Sequence, residues 1–369
     1  MKKIISFIFF AGIFYGCSSS DSATTAPPDT FYRGMDLSFQ HELSGYGVLY
    51  RNATGNPEPL LDQVQASGAN LVRLKLWHTP DGGLNGLNAV KAYALELKQH
   101  GLSLLLDIHY SDTWADPAHQ TPPAAWQSLT TEALRESVYQ YTKNVVTALE
   151  IQGTPPAFVQ IGNETDSGFL WNYGKVWDDF DDNWGNLAAI IAKAAQAIRE
   201  ASPSAKIILH HSNVENARYY FEELQPYAID FDVIGLSYYP QFQTKNLTTV
   251  QTSLNALAQN FDKDVMIVET AYPFTFGYDD NLTNYIGDAS QIVPTYPATP
   301  AGQKAFLDKL TEILKNVPDR KGIGWVYWAP DWVAFPGNEA TSTTGSAWEN
   351  QALWNFDHVV LPAINAFQP

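Results

Sequence analysis

The chain has 369 residues, of which 45% are hydrophobic and 17% charged, with a formal net charge of −17 and an isoelectric point near 4.7. This surplus of acid excludes the phosphate neutralisation on which nucleic-acid binding depends. It also disfavours a strongly anionic polysaccharide, so a neutral partner fits best. Aromatic residues make up 13%, with 11 Trp, 19 Tyr and 19 Phe, and their flat faces suit a large core and sugar rings equally.

The chain opens with Met1-Lys2-Lys3 and an apolar run from Ile4 to Tyr15, of signal-peptide length and too short to span a bilayer. Gly16-Cys17 and the stretch SSSDSATTAPPDT follow. Cys17 is the single cysteine, which rules out an intramolecular disulfide. The pattern reads as a bacterial lipoprotein signal: residues 1–16 a signal peptide, Cys17 the lipidation site, and residues 17–30 a flexible tether. Phe14 stands where Leu is usual, which leaves open an ordinary secretory signal with an incidental cysteine. Either way the mature protein is expected outside the cytoplasm, lipid-anchored to one face or the other of the outer membrane. The lipid would be its only membrane contact.

From Phe31 to Pro369 no low-complexity break or repeat interrupts the chain, and one domain is expected. Short apolar runs predict strands at 31–37, 70–77, 102–109, 157–162, 206–211, 231–238, 265–270 and 322–329. Apolar residues recurring at three and four predict helices between them, most clearly at 87–99, 131–151, 184–200, 247–260 and 302–315. Thr131-Glu132 fits a helix start, and Gly68 and Gly101 fit helix stops. Eight strands alternating with helices is the count of a (β/α)8 TIM barrel. The rival, an open doubly wound sheet, lacks a Gly-rich loop after the first strand. No coiled-coil pattern or long edge strand suggests an oligomer, and a monomer is expected.

In such a barrel the active site lies where strands give way to their βα loops. Those positions carry Asp36, Arg73, Trp77-His78, Asp107, His109, Tyr110, Asn163-Glu164, His210-His211, Asn213, Ser237-Tyr238-Tyr239, Glu269, Trp325, Trp328 and Asp331. Glu164 and Glu269 stand out, at the ends of the fourth and seventh strands. Glycosidic cleavage needs two carboxyl groups flanking the bond, one protonated and one ionised. A lone strand-end Glu is as well explained by an ion pair; two on well-separated strands point to chemistry. Arg73 is placed to hold Glu269 ionised, Tyr238 to donate to the same carboxylate, Asn163 to reach a sugar hydroxyl, and Trp328 to floor the ring. Only one of Trp325 and Trp328 can face the site, because alternate strand residues point to opposite sides. Glu164 is expected to have a raised pKa, from its apolar strand and from nearby ionised Glu269.

At this point the chain resembles the endo-β-1,4-galactanases of glycoside hydrolase family 53, from Gly34 to Phe367. The resemblance rests on GMDLS (34–38), NLVRLKLW (70–77), LLLDIHYSDTWADPAHQTPPAAW (104–126), VQIGNE (159–164), FDVIGLSYYP (231–240), VMIVETAYPF (265–274) and WENQALWNFD (348–357). It implies Glu164 as acid/base and Glu269 as nucleophile in a retaining mechanism. Asp36, Arg73, Trp77, His109, Trp114, Asn163, His211, Tyr238 and Trp328 become the substrate-binding set. It implies neutral β-1,4-galactan, as in type I arabinogalactan and pectin side chains, and no catalytic cofactor. Two alternatives stay open: another retaining enzyme of the same clan, such as a mannanase or xylanase, and a non-catalytic glycan-binding lipoprotein.

Some bacterial members of that family carry a calcium loop after the nucleophile strand. Here the segment reads TFGYDDNLTNYIGDASQ (275–291). Asp279 and Asp280 supply oxygen ligands for a structural calcium in principle, but the spacing is not that loop's, and a solvated loop is expected. His210-His211 is not expected to hold a metal, since neighbours on a strand face opposite ways.

Overall fold

Eight short parallel strands close on themselves in sequence order in the computed structural model, which describes residues 30–180, 182–335 and 345–369. They are β1 (Tyr32–Asp36), β2 (Leu71–Leu76), β3 (Ser103–Ile108), β4 (Phe158–Ile161), β5 (Lys206–His211), β6 (Val233–Ser237), β7 (Asp264–Thr270) and β8 (Gly322–Trp328). The helices are α1 (Gln40–Gly45), α2 (Leu60–Ser67), α3 (Leu87–Gln99), α4 (Thr131–Gln152), α5 (Trp184–Ala201), α6 (Ala217–Leu224), α7 (Leu247–Phe261) and α8 (Pro300–Lys315). This is the (β/α)8 barrel, and Phe31–Pro369 form one unit. Among the described residues no helix is long and apolar enough to cross a membrane. The expected signal peptide, Cys17 and nearly all of the expected tether lie outside the described residues.

The predicted helices form for local reasons. The Thr130 hydroxyl accepts the Ala133 N–H at 3.3 Å and caps α4, which ends on Gly153 in the left-handed region. Leu134, Val138, Val145 and Leu149 line its inner face at spacings of four and seven. Thr299 caps α8, with Pro300 in its first turn. Gly68 closes α2 at φ 89°, where a side chain would be strained and would also strike the Phe367 carbonyl at 2.8 Å.

The barrel interior is divided along its axis. Its lower part is a separate apolar cluster of Leu71, Leu105, Phe158, Ile208, Val233, Met266, Val268 and Val326. Two residues further along, the same inward column carries Arg73 on β2, Asp107 on β3, Gln160 on β4, His210 on β5 and Trp328 on β8, because side chains alternate with period two. Parallel register sets these residues side by side: Asp36 pairs with Arg73 and with Trp328, and Asp107 with Gln160. Trp325, one column over, faces outward onto Phe367 and α8, where its Nε1 donates to Thr311 Oγ1 at 2.8 Å. It fills the core, and Trp328 alone faces the site.

Candidate active site

A cleft of about 730 Å³ opens at the C-terminal rim, lined among others by Asp36, Arg73, His109, Trp114, Asn163, Glu164, Tyr239, Glu269, Trp328 and Trp348. Arg73, 1% exposed, lies at its base. Its Nη1 donates to Asp36 Oδ2 at 2.7 Å, and its Nη2 approaches Asp107 Oδ2 at 2.8 Å, Asn163 Oδ1 at 2.7 Å and Glu269 Oε1 at 2.8 Å. Burial works against the guanidinium's charge, but Asp107, Glu269 and Asp36 outweigh it and keep Arg73 protonated. One cation thus organises three carboxylates drawn from three strands.

Glu269 reaches this position through a bulge. The alternation Met266, Val268 would carry Thr270 inward, but the β6–β7 register shifts between Leu236 and Ser237 and pairs Ser237 with Glu269. Thr270 instead donates from Oγ1 to the Tyr238 carbonyl at 2.8 Å. Glu269 Oε2 then accepts from the Tyr239 hydroxyl at 3.0 Å. The expected donor, Tyr238, is turned away: it is buried outside the cleft lining, and its hydroxyl donates to the Thr244 carbonyl at 2.9 Å. The residues are sequence neighbours on opposite faces, and the bulge decides which of them looks in.

Glu164 follows β4 in the left-handed region, at φ 46°. Its Oε1 accepts from Ser237 Oγ at 2.6 Å. His210 continues the chain, with Nε2 at 2.9 Å from Ser237 Oγ and Nδ1 accepting the Glu164 N–H at 3.2 Å. These partners assign His210 the Nε2–H tautomer, and burial, then the charge of Arg73, lowers its pKa so that it stays neutral. Ser237 therefore occupies one oxygen of Glu164 and leaves the other to carry a proton into the cleft.

Carboxylate oxygens of Glu164 and Glu269 and a ring nitrogen of His210 lie within 4.8 Å of one another. This is the one group with metal-ligand spacing among the described residues, and it does not fit a metal. Both His210 nitrogens are engaged, and each carboxylate already accepts from neighbouring side chains. The spacing does fit two carboxyl groups that share one proton. Burial raises both. In Glu269 it is opposed by the adjacent Arg73 and the pKa reaches about 7. In Glu164, burial and then the negative charge of Glu269 raise it well above the usual range. The shared proton resides on Glu164, because Arg73 touches only its partner.

The remaining expected residues divide between the wall and its support. His109 lines the cleft; its Nε2 lies 2.9 Å from Asp107 Oδ2 while its Nδ1 accepts from Ala115 N and from Trp77 Nε1, each at 3.2 Å. Trp77 therefore lies behind His109 rather than in the cleft lining. Asn163 spends an amide N–H on the Ala115 carbonyl at 2.9 Å, which leaves a second for a ligand. Trp114, 38% exposed, and Trp328 form an indole wall with Trp332 and Trp348. His211 faces a neighbouring groove, 3.4 Å from Asp166. Lys75, buried at the wall's foot, has its ammonium 3.7 Å from the Trp114 ring centre and 4.2 Å from that of Phe39, and burial lowers its pKa to about 8. The sequence reading assigned no role to Lys75, Gln160, His210, Ser237 or Tyr239. Gln160 carried a signal, a polar residue inside an apolar strand.

The loop of Asp279 and Asp280 is tied to the segment around Ser346 and Glu349. Asp280 accepts the Leu282 N–H on Oδ1 and the Ser346 N–H on Oδ2, each at 2.7 Å. The Asp279 N–H, at 2.6 Å, and the Asp280 N–H, at 3.1 Å, point at the buried Glu349 carboxylate. Backbone donors converge on carboxylates here, which is a nest for anions, and Glu349 fills it from within the chain.

An eight-stranded barrel with two facing carboxyl groups and an aromatic wall on its C-terminal rim defines a glycoside hydrolase. The profile of Glycosyl hydrolase family 53 matches residues 32–367. An arabinogalactan endo-beta-1,4-galactanase of Cellvibrio japonicus is 35% identical over 333 residues, 88% of this chain and 86% of that one. A protein of Niallia circulans described as an uncharacterized protein in the bgaB 5' region is 35% identical over 92% of this chain and 94% of its own. Among solved structures, the Ignisphaera aggregans GH53 catalytic domain superposes with a TM-score of 0.86 at 32% identity, covering 93% of this chain and 97% of that one. The catalytic core of a xylanase A, at 16% identity and a TM-score of 0.58, shares the fold alone. The chain belongs to glycosyl hydrolase family 53.

Proposed function

We propose that this protein is a retaining endo-β-1,4-galactanase acting on neutral galactan. The single observation behind this reading is the Glu164–Glu269 pair, with carboxylate oxygens within 4.8 Å and opposite electrostatic surroundings. Retaining enzymes hold their carboxyl groups about 5–5.5 Å apart, too close for an intervening water. Glu269, ionised beside Arg73 and oriented by Tyr239, attacks the anomeric carbon. Glu164 gives its proton to the departing glycosidic oxygen from the carboxyl oxygen that Ser237 leaves free. Glu164, then ionised, takes a proton from the water that releases the galactosyl group from Glu269. Asn163 binds a hydroxyl of the reacting sugar through its spare amide N–H, and Trp328 holds its apolar face. None of these steps calls on a metal or organic cofactor.

The choice of galactan rests on relatives named for that activity in Cellvibrio japonicus and Thermothelomyces thermophilus, and on the acidic charge of the chain. Incubation with galactan, xylan and mannan in parallel, with proton NMR of the first product, tests substrate and stereochemistry together. The expected result is β-configured oligosaccharides from galactan; activity confined to xylan or mannan sinks the reading. We further propose that residues 1–16 direct export and that Cys17 carries a lipid anchor for residues 31–369. The test is radiolabelled-palmitate incorporation, expected in the full chain and lost in Cys17→Ser.

A further inference from the structure

A second groove, of about 950 Å³, lies beside the cleft and shares Pro117, Ser212 and Asn213 with it. It is built from the loops that follow β4 and β5 and from α6. Two aromatic side chains stand in it largely uncovered: Trp177, 62% exposed, and Tyr219, 59% exposed. Single exposed aromatics are ordinary; two on one groove that runs into a catalytic cleft are platforms for ring stacking. Its cations are already matched, Lys175 to Asp178 at 3.2 Å and Arg218 to Glu222 at 2.6 Å. Asp166 and Glu215 remain as surplus acid, so a carboxylated sugar is repelled and a neutral one is not.

Strand order shows which end of a chain lies there. The nucleophile Glu269 is on β7, next to β8 and its Trp328 floor, so the sugar that becomes bonded to Glu269 lies on that side. The acid Glu164 follows β4, across the barrel, and must touch the oxygen of the departing portion. The groove continues beyond Glu164, over β4 and β5. We propose that it is an extended leaving-group binding site, in which Trp177 and Tyr219 hold neutral sugar units on the reducing-end side of the scissile bond. The inference rests on the galactanase reading and adds a determinant of substrate length to it.

The test compares the full-chain enzyme with Trp177→Ala and Tyr219→Ala on β-1,4-galacto-oligosaccharides of three to seven units, reading kcat/KM against length and bond choice by 18O labelling of the reducing end. Each variant is expected to lose about tenfold on the longest substrates and little on the trimer, the scale of one stacking platform. Cuts are expected to move toward the reducing end, releasing shorter leaving fragments. Equal loss at every length indicates a merely structural role and overturns the proposal, as does an unchanged length dependence. A wild-type enzyme inert on the whole series removes the galactanase reading itself; active wild type with unaltered variants removes this inference alone.

Discussion

The two halves of the barrel interior are made by the same strands and obey different physics. The lower half, Leu71 to Val326, is apolar and closely packed, and glycines relieve its crowding. A side chain at Gly235 would meet Ile208 at 2.6 Å, and one at Gly34 would meet Val326 at 2.8 Å. The upper half places Arg73 among Asp36, Asp107 and Glu269, with Asn163 bonded to the same guanidinium, all at 8% side-chain exposure or less for the ionised groups. Burying such charges is unfavourable unless each is paired, and well-packed apolar residues of similar volume would be as stable or more so. The lower half holds the barrel closed, and the upper half gives up stability to hold one carboxylate ionised beside another that keeps its proton.

The largest effect that separates the halves is on turnover. Glu269→Ala is expected to lower kcat by on the order of a thousandfold or more while oligosaccharide affinity stays within about tenfold, because the lost interaction belongs to the transition state. Steady-state kinetics with calorimetric binding measures both, and undiminished hydrolysis would take Glu269 out of the mechanism. Next comes stability. Arg73→Ala leaves buried carboxylates unpaired and is expected to cost about 3–5 kcal/mol as well as activity. Leu105→Ala, in the lower half, is expected to cost about 2–5 kcal/mol with kcat nearly unchanged. Denaturant titration beside kinetics reads the contrast, and a Leu105→Ala variant of native stability but impaired turnover would erase the division.

Smaller effects test the two carboxyls separately. In the proposed roles activity needs Glu269 ionised, so it should rise with pH along the acidic limb, and needs Glu164 protonated, so it should fall along the basic limb. Tyr239→Phe removes a hydrogen bond that lowers the Glu269 pKa, so the acidic limb should move to higher pH. Ser237→Ala removes one that lowers the Glu164 pKa, so the basic limb should move to higher pH. Profiles of kcat/KM in which both variants move the same limb would contradict the assignment of roles.

The smallest expected effect lies just behind the site. Asp331 is fully buried, neither carboxyl oxygen has a hydrogen-bond partner among the described residues, and burial raises its pKa to about 8. A folded pKa above the unfolded value means stability that is complete at low pH and lost as pH rises toward about 8. Asp331→Asn should therefore flatten the fall in melting temperature between acidic and mildly alkaline pH. An unchanged slope would show that Asp331 is ionised in the native protein.

Much of this was legible in one dimension. The eight strands and the clearest helices fall within a few residues of where apolar periodicity puts them, since burial of a face leaves its period in the sequence. Strand ends were legible too, because an apolar run that stops at Asn163-Glu164 or at Glu269 marks the rim. The exchange of Tyr238 for Tyr239 was not, because it depends on a bulge that no residue pattern announces. That Trp77 would donate to His109 from behind the cleft lining was not legible, since its position gives no sign of what His109 needs behind it. His210 appeared only as half of a histidine pair; closure of the barrel made it the neighbour of Ser237 and Glu164.

Local periodicity and the chemistry of residue types thus determined the barrel, the rim and the two carboxyl groups, because each leaves its mark within a few positions along the chain. Which of two adjacent side chains turns inward, which carboxyl keeps the proton and which neighbour holds it were decided only when β2, β4, β5, β6 and β7 met. Those properties depend on distances of a few ångströms between residues far apart along the chain, as Arg73 is from Glu269.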